Sequence, residues 1–262
     1  MNTSMKAHGP RRAAPDNSGT HAKPRCAATS CACSSEVNFK TSLLPLVVVA
    51  GAALLAVVAV AQVPPVTLIN SPAAAKAPDA DGFIRGWFLL EPIPALGLTD
   101  NAVQSIVKKE YFPEQFTVIP KDGNKVTVGG TELTWHSVET KNYNVNLFHF
   151  ARALGKETSN VLFWAVTIVN CPQEMRDVRL AIGSNAASVW WVNDEEVIGI
   201  YGDRQTVIDD GVSKRLTLNK GPNVIRGAIV NGGGATDFCV RFLGADDKPL
   251  KGFTAGPGEI RR

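Results

Sequence analysis

The hydrophobic and polar positions divide the chain into segments of different character. Residues 1–42 are polar without an apolar period, and residues 43–61 form a run of nineteen residues without a charged side chain. Residues 62–81 are rich in Pro and Ala, and residues 82–262 alternate short apolar runs with turn residues. The pattern predicts a disordered leader, or a stretch upstream of the true translation start, then an apolar segment, a linker and one folded domain.

Within residues 82–262, runs of apolar and β-branched residues recur every eight to fifteen residues, as strands of an antiparallel fold do. The run Asn160–Asn170 is almost wholly apolar, which is typical of a central strand. Further strands are predicted at Phe83–Leu90, Lys125–Val128, Glu132–Val138, Asp177–Gly183, Ser188–Asn193, Glu196–Tyr201, Ser213–Leu218, Asn223–Val230 and Asp237–Leu243.

A helix is predicted at Thr99–Lys109, because apolar residues there fall at helical spacing behind a capping residue. Asn146–Leu154 is expected to be a short helical or irregular connection. The predicted fold class is therefore all-β: an antiparallel β-sandwich of the jelly-roll kind with one or two short helices, preceded by a signal or transmembrane segment.

The apolar run Leu43–Ala61 allows two interpretations. Lys40 precedes it and Ala59-Val60-Ala61 closes it, which is the pattern of a secretory signal with a small-x-small cleavage site. Nineteen apolar residues also nearly match the hydrocarbon core of a bilayer, so a single transmembrane helix fits the run too. Under either interpretation we expect residues 82–262 to be outside the cytoplasm, either exported to the periplasm or extracellular space, or anchored to a membrane.

The distribution of charge along the chain indicates which partners the predicted domain can bind. The whole chain carries +3, but residues 1–61 contain six Lys and Arg against two acids. The remainder therefore holds 21 basic and 22 acidic residues, a net charge of −1. A nearly neutral domain lacks the clustered cations that binding to a phosphate backbone needs, so we expect no nucleic-acid partner.

Residue patterns for catalysis and for metal binding are weak. The domain has two histidines, His136 and His149, and neither belongs to a known nucleophile motif. We therefore predict a domain that is not an enzyme, with a hydrolase of dispersed active site as the weaker alternative. Neighbouring acids lie at predicted turns without EF-hand spacing: Asp194-Glu195-Glu196, Asp209-Asp210 and Asp246-Asp247. We expect no cofactor, with calcium as the exception that these acids could bind.

Aromatic and glycine-rich positions supply the candidates for ligand binding. Trp135, Trp190 and Trp191 could stack on sugar faces if their rings are exposed, and could equally be core residues. Trp190 and Trp191 are adjacent, so in a strand they point to opposite faces. Asn231 and Asp237 flank a glycine loop and could bond ligand hydroxyls, although the loop could also be a plain hairpin tip.

Two cysteines, Cys171 and Cys239, lie in the predicted domain. In an oxidising compartment they could form one disulfide. They could instead be two buried free thiols, because free Cys is among the residues most often found in cores. The sequence slightly favours free thiols, since both residues flank apolar strand-like runs.

Four segments resemble, in the same order, those of a module common in secreted bacterial carbohydrate-active proteins. They are Arg85–Pro94 (RGWFLLEPIP), Asp122–Trp135 (DGNKVTVGGTELTW), Gly183–Asp194 (GSNAASVWWVND) and Leu218–Ile225 (LNKGPNVI). The resemblance is to a galactose-binding-like or PA14-like β-sandwich, and it implies a non-catalytic accessory module of the kind often attached to hydrolases.

The chain departs from that family at three places. Glu91 and Asp194 replace glycines of the family pattern, and Asn185-Ala186 replaces a pair of Asp. If those acids bind ligand or calcium in relatives, this chain has lost them.

Together these features predict an exported, non-catalytic module that binds a polysaccharide or glycan. It would act beside a separately encoded hydrolase or cell-surface protein. The alternative is a structural or protein-interaction domain at the cell surface.

Overall fold

The computed structural model describes residues 74–95, 100–202 and 204–258. The predicted leader, the apolar run and residues 62–73 of the predicted linker lie outside these ranges. None of the helices within them combines the length and apolar character needed to cross a membrane. The elements in chain order are β1 (Gly86–Leu90), β2 (Ile93–Pro94), α1 (Asp100–Lys108), β3 (Lys125–Val128), β4 (Thr131–Glu139), β5 (Val145–Asn146), α2 (Leu147–Ala153), β6 (Val161–Cys171), β7 (Met175–Ser184), β8 (Ala187–Val192), β9 (Glu195–Ile200), β10 (Gly211–Val212), β11 (Leu216–Leu218), β12 (Gly221–Asn231), β13 (Asp237–Leu243) and β14 (Thr254–Gly256).

The strands build two antiparallel sheets, which confirms the predicted all-β sandwich with two short helices. The larger sheet has the order β3-β4-β1-β6-β12-β8-β9, and β2 and β14 also pair with β6. The smaller sheet has the order β10-β7-β13-β5, and β11 also pairs with β7. The apolar run at residues 160–170 forms the central strand β6, as its composition predicts.

The central strands of the larger sheet, β6, β12 and β8, are buried on both faces. Along β12, Ile225 and Ile229 point into a core shared with the smaller sheet, whereas Val224 and Ala228 belong to a second core on the opposite face. This second core is covered by α1 and by residues 109–118. Strands buried on two sides read as continuous apolar runs rather than alternating ones, which explains the composition of β6 and β12.

The two helices occupy the positions that the sequence predicts. Helix α1 buries Val103 and Val107 against the second core. Helix α2 begins after Asn146, whose Oδ1 accepts a hydrogen bond from the His149 backbone N–H at 2.8 Å. An amide oxygen at this position satisfies one of the free N–H groups of the first helical turn.

Residues upstream of Gly82 already contact the folded domain. The backbone N–H of Lys76 donates to the Ala255 carbonyl at 3.0 Å, and the Ala255 N–H donates back to Lys76 at 2.7 Å. The Lys76 Nζ lies 2.7 Å from a carboxylate oxygen of Glu139. Residues 76–81, part of the segment that the composition marks as linker, therefore pack against β14 and β4.

Gly227 on β12 lies directly against the ring of Trp190 in the core between the two sheets, here called the inter-sheet core. A Cβ atom at Gly227 would lie 2.4 Å from Cζ3 and 2.7 Å from Cη2 of Trp190. Trp190 cannot retreat, because its ring packs edge-on against Trp87 and Phe238 with centroids 6.0 and 5.2 Å away. Glycine is therefore required here by the position of the indole.

We expect Gly227→Ala to lower the free energy of unfolding by about 2–3 kcal/mol, because overpacking a dense core typically costs about 1–3 kcal/mol. Trp190→Phe removes the ring atoms that the new methyl group would meet. The double variant should therefore lose less stability than the sum of the two single variants, as measured by denaturant unfolding.

The matched control is Gly202→Ala, since no atom lies within 4 Å of a Cβ at that position. Its stability should match that of the wild type closely. Strictly additive losses in the Gly227→Ala/Trp190→Phe variant would show that the indole does not impose the glycine.

Candidate binding cleft

The three tryptophans considered for ligand stacking are all buried. Trp190 is 0 % exposed, Trp135 is 1 % exposed and Trp191 is 7 % exposed. The two adjacent rings do point to opposite faces, since Trp190 lies in the inter-sheet core and Trp191 in the second core. The expectation of an exposed stacking surface is corrected, because both faces of the sheet are covered.

The cover over the second core explains why Trp135 and Trp191 are out of reach. Trp191 stacks on Trp164 with ring centroids 5.5 Å apart and an interplanar angle of 20°. Phe116 packs edge-on against both rings, at 5.5 Å from Trp164 and 5.9 Å from Trp191. Phe112 packs in the same way on Trp135 at 6.5 Å. These rings stabilise the fold through contacts with one another.

Asn231 and Asp237, the candidates beside the glycine loop, use their side chains within the fold. Asn231 is buried, and its Nδ2 donates to the Thr158 carbonyl at 2.6 Å. The Asp237 carboxylate accepts hydrogen bonds from Asn144 Nδ2 at 2.5 Å and from Thr206 Oγ1. Both residues fix neighbouring loops, so the structure gives them a different role from hydroxyl binding.

Cys171 and Cys239 are separate, buried free thiols, so the disulfide alternative is not realised. They lie on β6 and β13, in different sheets. Burial raises the pKa of both thiols, that of Cys239 to about 11. The Cys239 thiol is therefore protonated and unreactive at neutral pH.

The acids considered for calcium are also engaged elsewhere or unclustered. Asp194 pairs with Arg226, and Glu196 lies 3.6 Å from Lys108 Nζ. In the described part of the chain, no three His, Cys, Asp or Glu side chains are grouped so that they could hold a metal ion.

An open cleft of about 570 Å³ runs along one edge of the sandwich, between β9 of the larger sheet and β11 of the smaller sheet. The wall on the side of β9 consists of Val192, Asn193, Glu195, Glu196 and Val197, and the facing wall of Lys214, Arg215, Leu216, Thr217 and Asn219. A smaller cavity of about 20 Å³ beside Gly86 includes Lys76 and Glu139, which bind each other. The larger cleft is therefore the better candidate for a binding site.

Three asparagines fix one end of the cleft. Asn193 Nδ2 donates to Asn223 Oδ1 at 2.8 Å, and Asn193 Oδ1 accepts from the Val224 N–H at 2.9 Å. Asn223 in turn holds Asn219, because its Nδ2 donates to the Asn219 carbonyl and its Oδ1 accepts from the Asn219 N–H, both at 2.8 Å. The turn between β8 and β9 is thereby joined to the turn that precedes β12.

Asp194, the next residue in the turn between β8 and β9, is also fixed by a side-chain contact. Asn193 and Asp194 have φ values of 48° and 71°, the left-handed conformation that Asn and Asp tolerate better than most residues. Asp194 forms an ion pair with Arg226, whose side chain is 2 % exposed and whose Nη2 donates to the Val118 carbonyl at 3.1 Å. Burial lowers the pKa of Arg226, although Asp194 opposes this shift.

The charged groups of the cleft differ in whether they have a partner. Glu196 is paired with Lys108, and Arg215 Nη2 lies 3.1 Å from the carboxylate of Asp247. Glu195 and Lys214 are exposed, and within the described ranges neither side chain takes part in a hydrogen bond or ion pair. These two side chains are the free charges of the cleft. The sequence marked Glu195 only as one of the turn acids considered for calcium, and it did not mark Lys214.

A second charged cluster surrounds Glu91, at a position where the sequence departs from the family pattern. Lys156 Nζ lies 3.0 Å from Glu91 Oε2, the Thr134 N–H donates to the same oxygen at 3.3 Å, and His136 Nε2 lies 3.5 Å from Oε1. Burial raises the pKa of Glu91, but the contacts with Lys156, Thr134 and His136 outweigh it and hold the pKa below its usual value. The cluster ties β1 and β4 to the segment after α2.

Comparisons with known proteins find only distant similarity. No protein family model and no curated protein matches the chain. Among solved structures, a selenomethionine-labelled β-glucosidase from Kluyveromyces marxianus is 17 % identical with a TM-score of 0.39, over 66 % of this chain and 20 % of that one. The β-glucosidase of the same organism in complex with glucose is 22 % identical with a TM-score of 0.35, over 47 % of this chain and 16 % of that one. The chain thus spans a fifth or less of the length of these relatives, and similarity at this level establishes neither a shared fold nor a function.

We expect Asn223→Ala to destabilise the protein by about 2–3 kcal/mol, because it removes three hydrogen bonds that the buried Asn223 side chain forms with Asn193 and Asn219. Thermal and denaturant unfolding measure the loss. The matched control is Asn142→Ala, an exposed asparagine whose replacement should change the free energy of unfolding by less than about 0.5 kcal/mol. Equal effects of the two substitutions would show that Asn223 does not hold the turns together.

The lowered pKa of Glu91 predicts the pH dependence of stability. Because the pKa is lower in the folded than in the unfolded state, the ionised carboxylate stabilises the fold above the unfolded value, and this contribution is lost as the pH falls through the folded value. Glu91→Gln should therefore cost most stability near neutral pH and progressively less as the pH is lowered.

The measurement is the free energy of unfolding of both proteins from about pH 7 to about pH 3. Glu157→Gln, which alters an exposed acid nearby in the sequence, is the control and should leave the curve unchanged. A difference between wild type and Glu91→Gln that stays constant with pH would contradict the assignment.

Proposed function

We propose that this chain is an exported, non-catalytic β-sandwich module that binds carbohydrate in the cleft between β9 and β11. The observation that carries the proposal is the composition of the cleft walls. The Thr217 hydroxyl, the Asn219 amide and free charges stand beside the half-buried aliphatic side chains of Val197 and Leu216. Sugars present hydroxyl groups and apolar C–H faces, so walls with both kinds of group match them.

The size and rigidity of the cleft also suit an oligosaccharide. Its volume of about 570 Å³ lies within the range for small-molecule sites, about 300–1,000 Å³. The hydrogen bonds of Asn193 and Asn223 hold the walls in place before any ligand arrives. A preformed site loses less conformational entropy on binding, which favours affinity.

The sequence resemblance supports the same function. Two of the four resembling segments, Gly183–Asp194 and Leu218–Ile225, contribute Asn193 and Asn219 to the cleft walls. The apolar run at residues 43–61 leads us to propose that the module works outside the cytoplasm. A separately encoded hydrolase acting on the same polysaccharide would be a fitting partner for a module without its own catalytic site.

We expect Thr217→Trp to block the cleft, because Thr217 is exposed on β11 and an indole there would project into the space that the ligand needs. Affinity electrophoresis of the full-length chain in gels containing neutral, acidic or amine-bearing polysaccharides is the measurement. The wild type should be retarded by at least one of them. The variant should bind it at least about tenfold more weakly, which corresponds to about 1.4 kcal/mol.

The control is Thr127→Trp, which places the same indole on the exposed strand β3 at the opposite edge of the larger sheet. This variant should bind like the wild type. If no polysaccharide retards the wild-type chain, carbohydrate binding is ruled out. If both Trp variants bind equally well, the ligand site is not the cleft.

A further inference from the structure

The cleft carries one free charge of each sign, on opposite walls. Glu195 lies at the start of β9, and Lys214 lies just before β11. Both side chains are exposed, and they form no ion pair with each other. Among the described residues neither has another partner, so both remain available to a ligand.

The remaining charges of the cleft are neutralised by the protein. Glu196 is paired with Lys108 and also accepts a hydrogen bond from the Tyr201 hydroxyl at 3.4 Å. Arg215 donates to the Asp177 carbonyl at 2.7 Å and pairs with Asp247, so its guanidinium group already has partners within the protein. The field that a ligand meets in the cleft is therefore set mainly by Glu195 on one wall and Lys214 on the other.

We propose that the cleft selects glycans that carry both a free amine and a carboxylate, as in a chain where an amino sugar alternates with a uronic acid. This inference rests on the proposed function and names the class of carbohydrate for it. The amine would lie against Glu195 and the carboxylate against Lys214.

The selection follows from elementary electrostatics. A glycan with carboxylates alone is attracted by Lys214 but repelled by Glu195, and a glycan with amines alone meets the reverse, so the two effects largely cancel. A glycan with both groups is attracted by both walls, because its amine can lie against Glu195 and its carboxylate against Lys214. Opposite charges inside a cleft also orient such a ligand along one direction, because the reversed orientation places like charges together.

The test uses four hexasaccharides with one backbone, in which glucosamine alternates with glucuronate. One has free amines and carboxylates, one is N-acetylated and so only anionic, one is carboxyl-reduced and so only cationic, and one has both modifications and is neutral. Calorimetric titration of the full-length chain at low ionic strength measures all four affinities. Added salt should weaken only the electrostatic preference.

We expect the doubly charged hexasaccharide to bind at least about tenfold more tightly than either singly charged one. Glu195→Gln should remove the preference for the free amine, and Lys214→Gln the preference for the free carboxylate, each lowering affinity for the doubly charged ligand by about threefold to fivefold. The exchange variant Glu195→Lys/Lys214→Glu should recover affinity above that of either single variant, because the ligand can bind in the reverse direction.

Glu157→Gln and Lys141→Gln are the matched controls, since they change exposed charges outside the cleft and should alter none of the four affinities. Equal binding of all four hexasaccharides, with unchanged affinities in the Glu195 and Lys214 variants, would overturn the inference while leaving carbohydrate binding in place. If the chain binds a neutral polysaccharide but none of the charged ones, the inference is likewise overturned and carbohydrate binding is kept. Absence of binding to any glycan would remove the proposed function, and this inference with it.

Discussion

The pairing of β6 with β12 is the constraint on which the rest of the fold depends. The two strands run antiparallel along their whole length, from Val161 opposite Asn231 to Cys171 opposite Gly221. Both are buried on both faces, so the sheet that they centre needs a cover on each side. The smaller sheet supplies one cover, and α1 with residues 109–118 supplies the other. Every remaining strand extends one of these layers or closes an edge.

Burial on both faces decides where a ligand can bind. In a sandwich with one solvated sheet face, Trp135 and Trp191 would stand on an open surface, but here Phe112 and Phe116 pack over them. The aromatic residues therefore contribute stability instead of recognition. A cleft with free polar groups lies where the layers end, at the edge between β9 and β11. The location of the cleft is thus a consequence of how the central strands are covered.

Much of the fold could be predicted from the sequence, because long strands carry their own apolar signal. The bounds Asp237–Leu243 and Lys125–Val128 agree with the structure, and Asn160–Asn170 is shifted by a single residue. The strands β2, β5, β10 and β14 are two or three residues long, too short for any period to appear. The cleft could not be predicted from the sequence, for a different reason. No motif links Glu195 with Lys214, and they line the same cleft only because the edges of the two sheets meet there.

Asp194, in the turn between β8 and β9, replaces a glycine of the family pattern, and its contacts explain why the fold tolerates this replacement. Arg226 lies buried on the covered face of the larger sheet, where a guanidinium without a counter-ion would be strongly destabilising. Asp194 provides the counter-ion and still adopts a left-handed φ that glycine would take more easily. Because Arg226 also binds the Val118 carbonyl, the same ion pair connects the turn to the cover of the second core. The Asp194 carboxylate therefore joins the cleft wall to the interior through Arg226, although its left-handed backbone conformation is less favourable for Asp than for glycine.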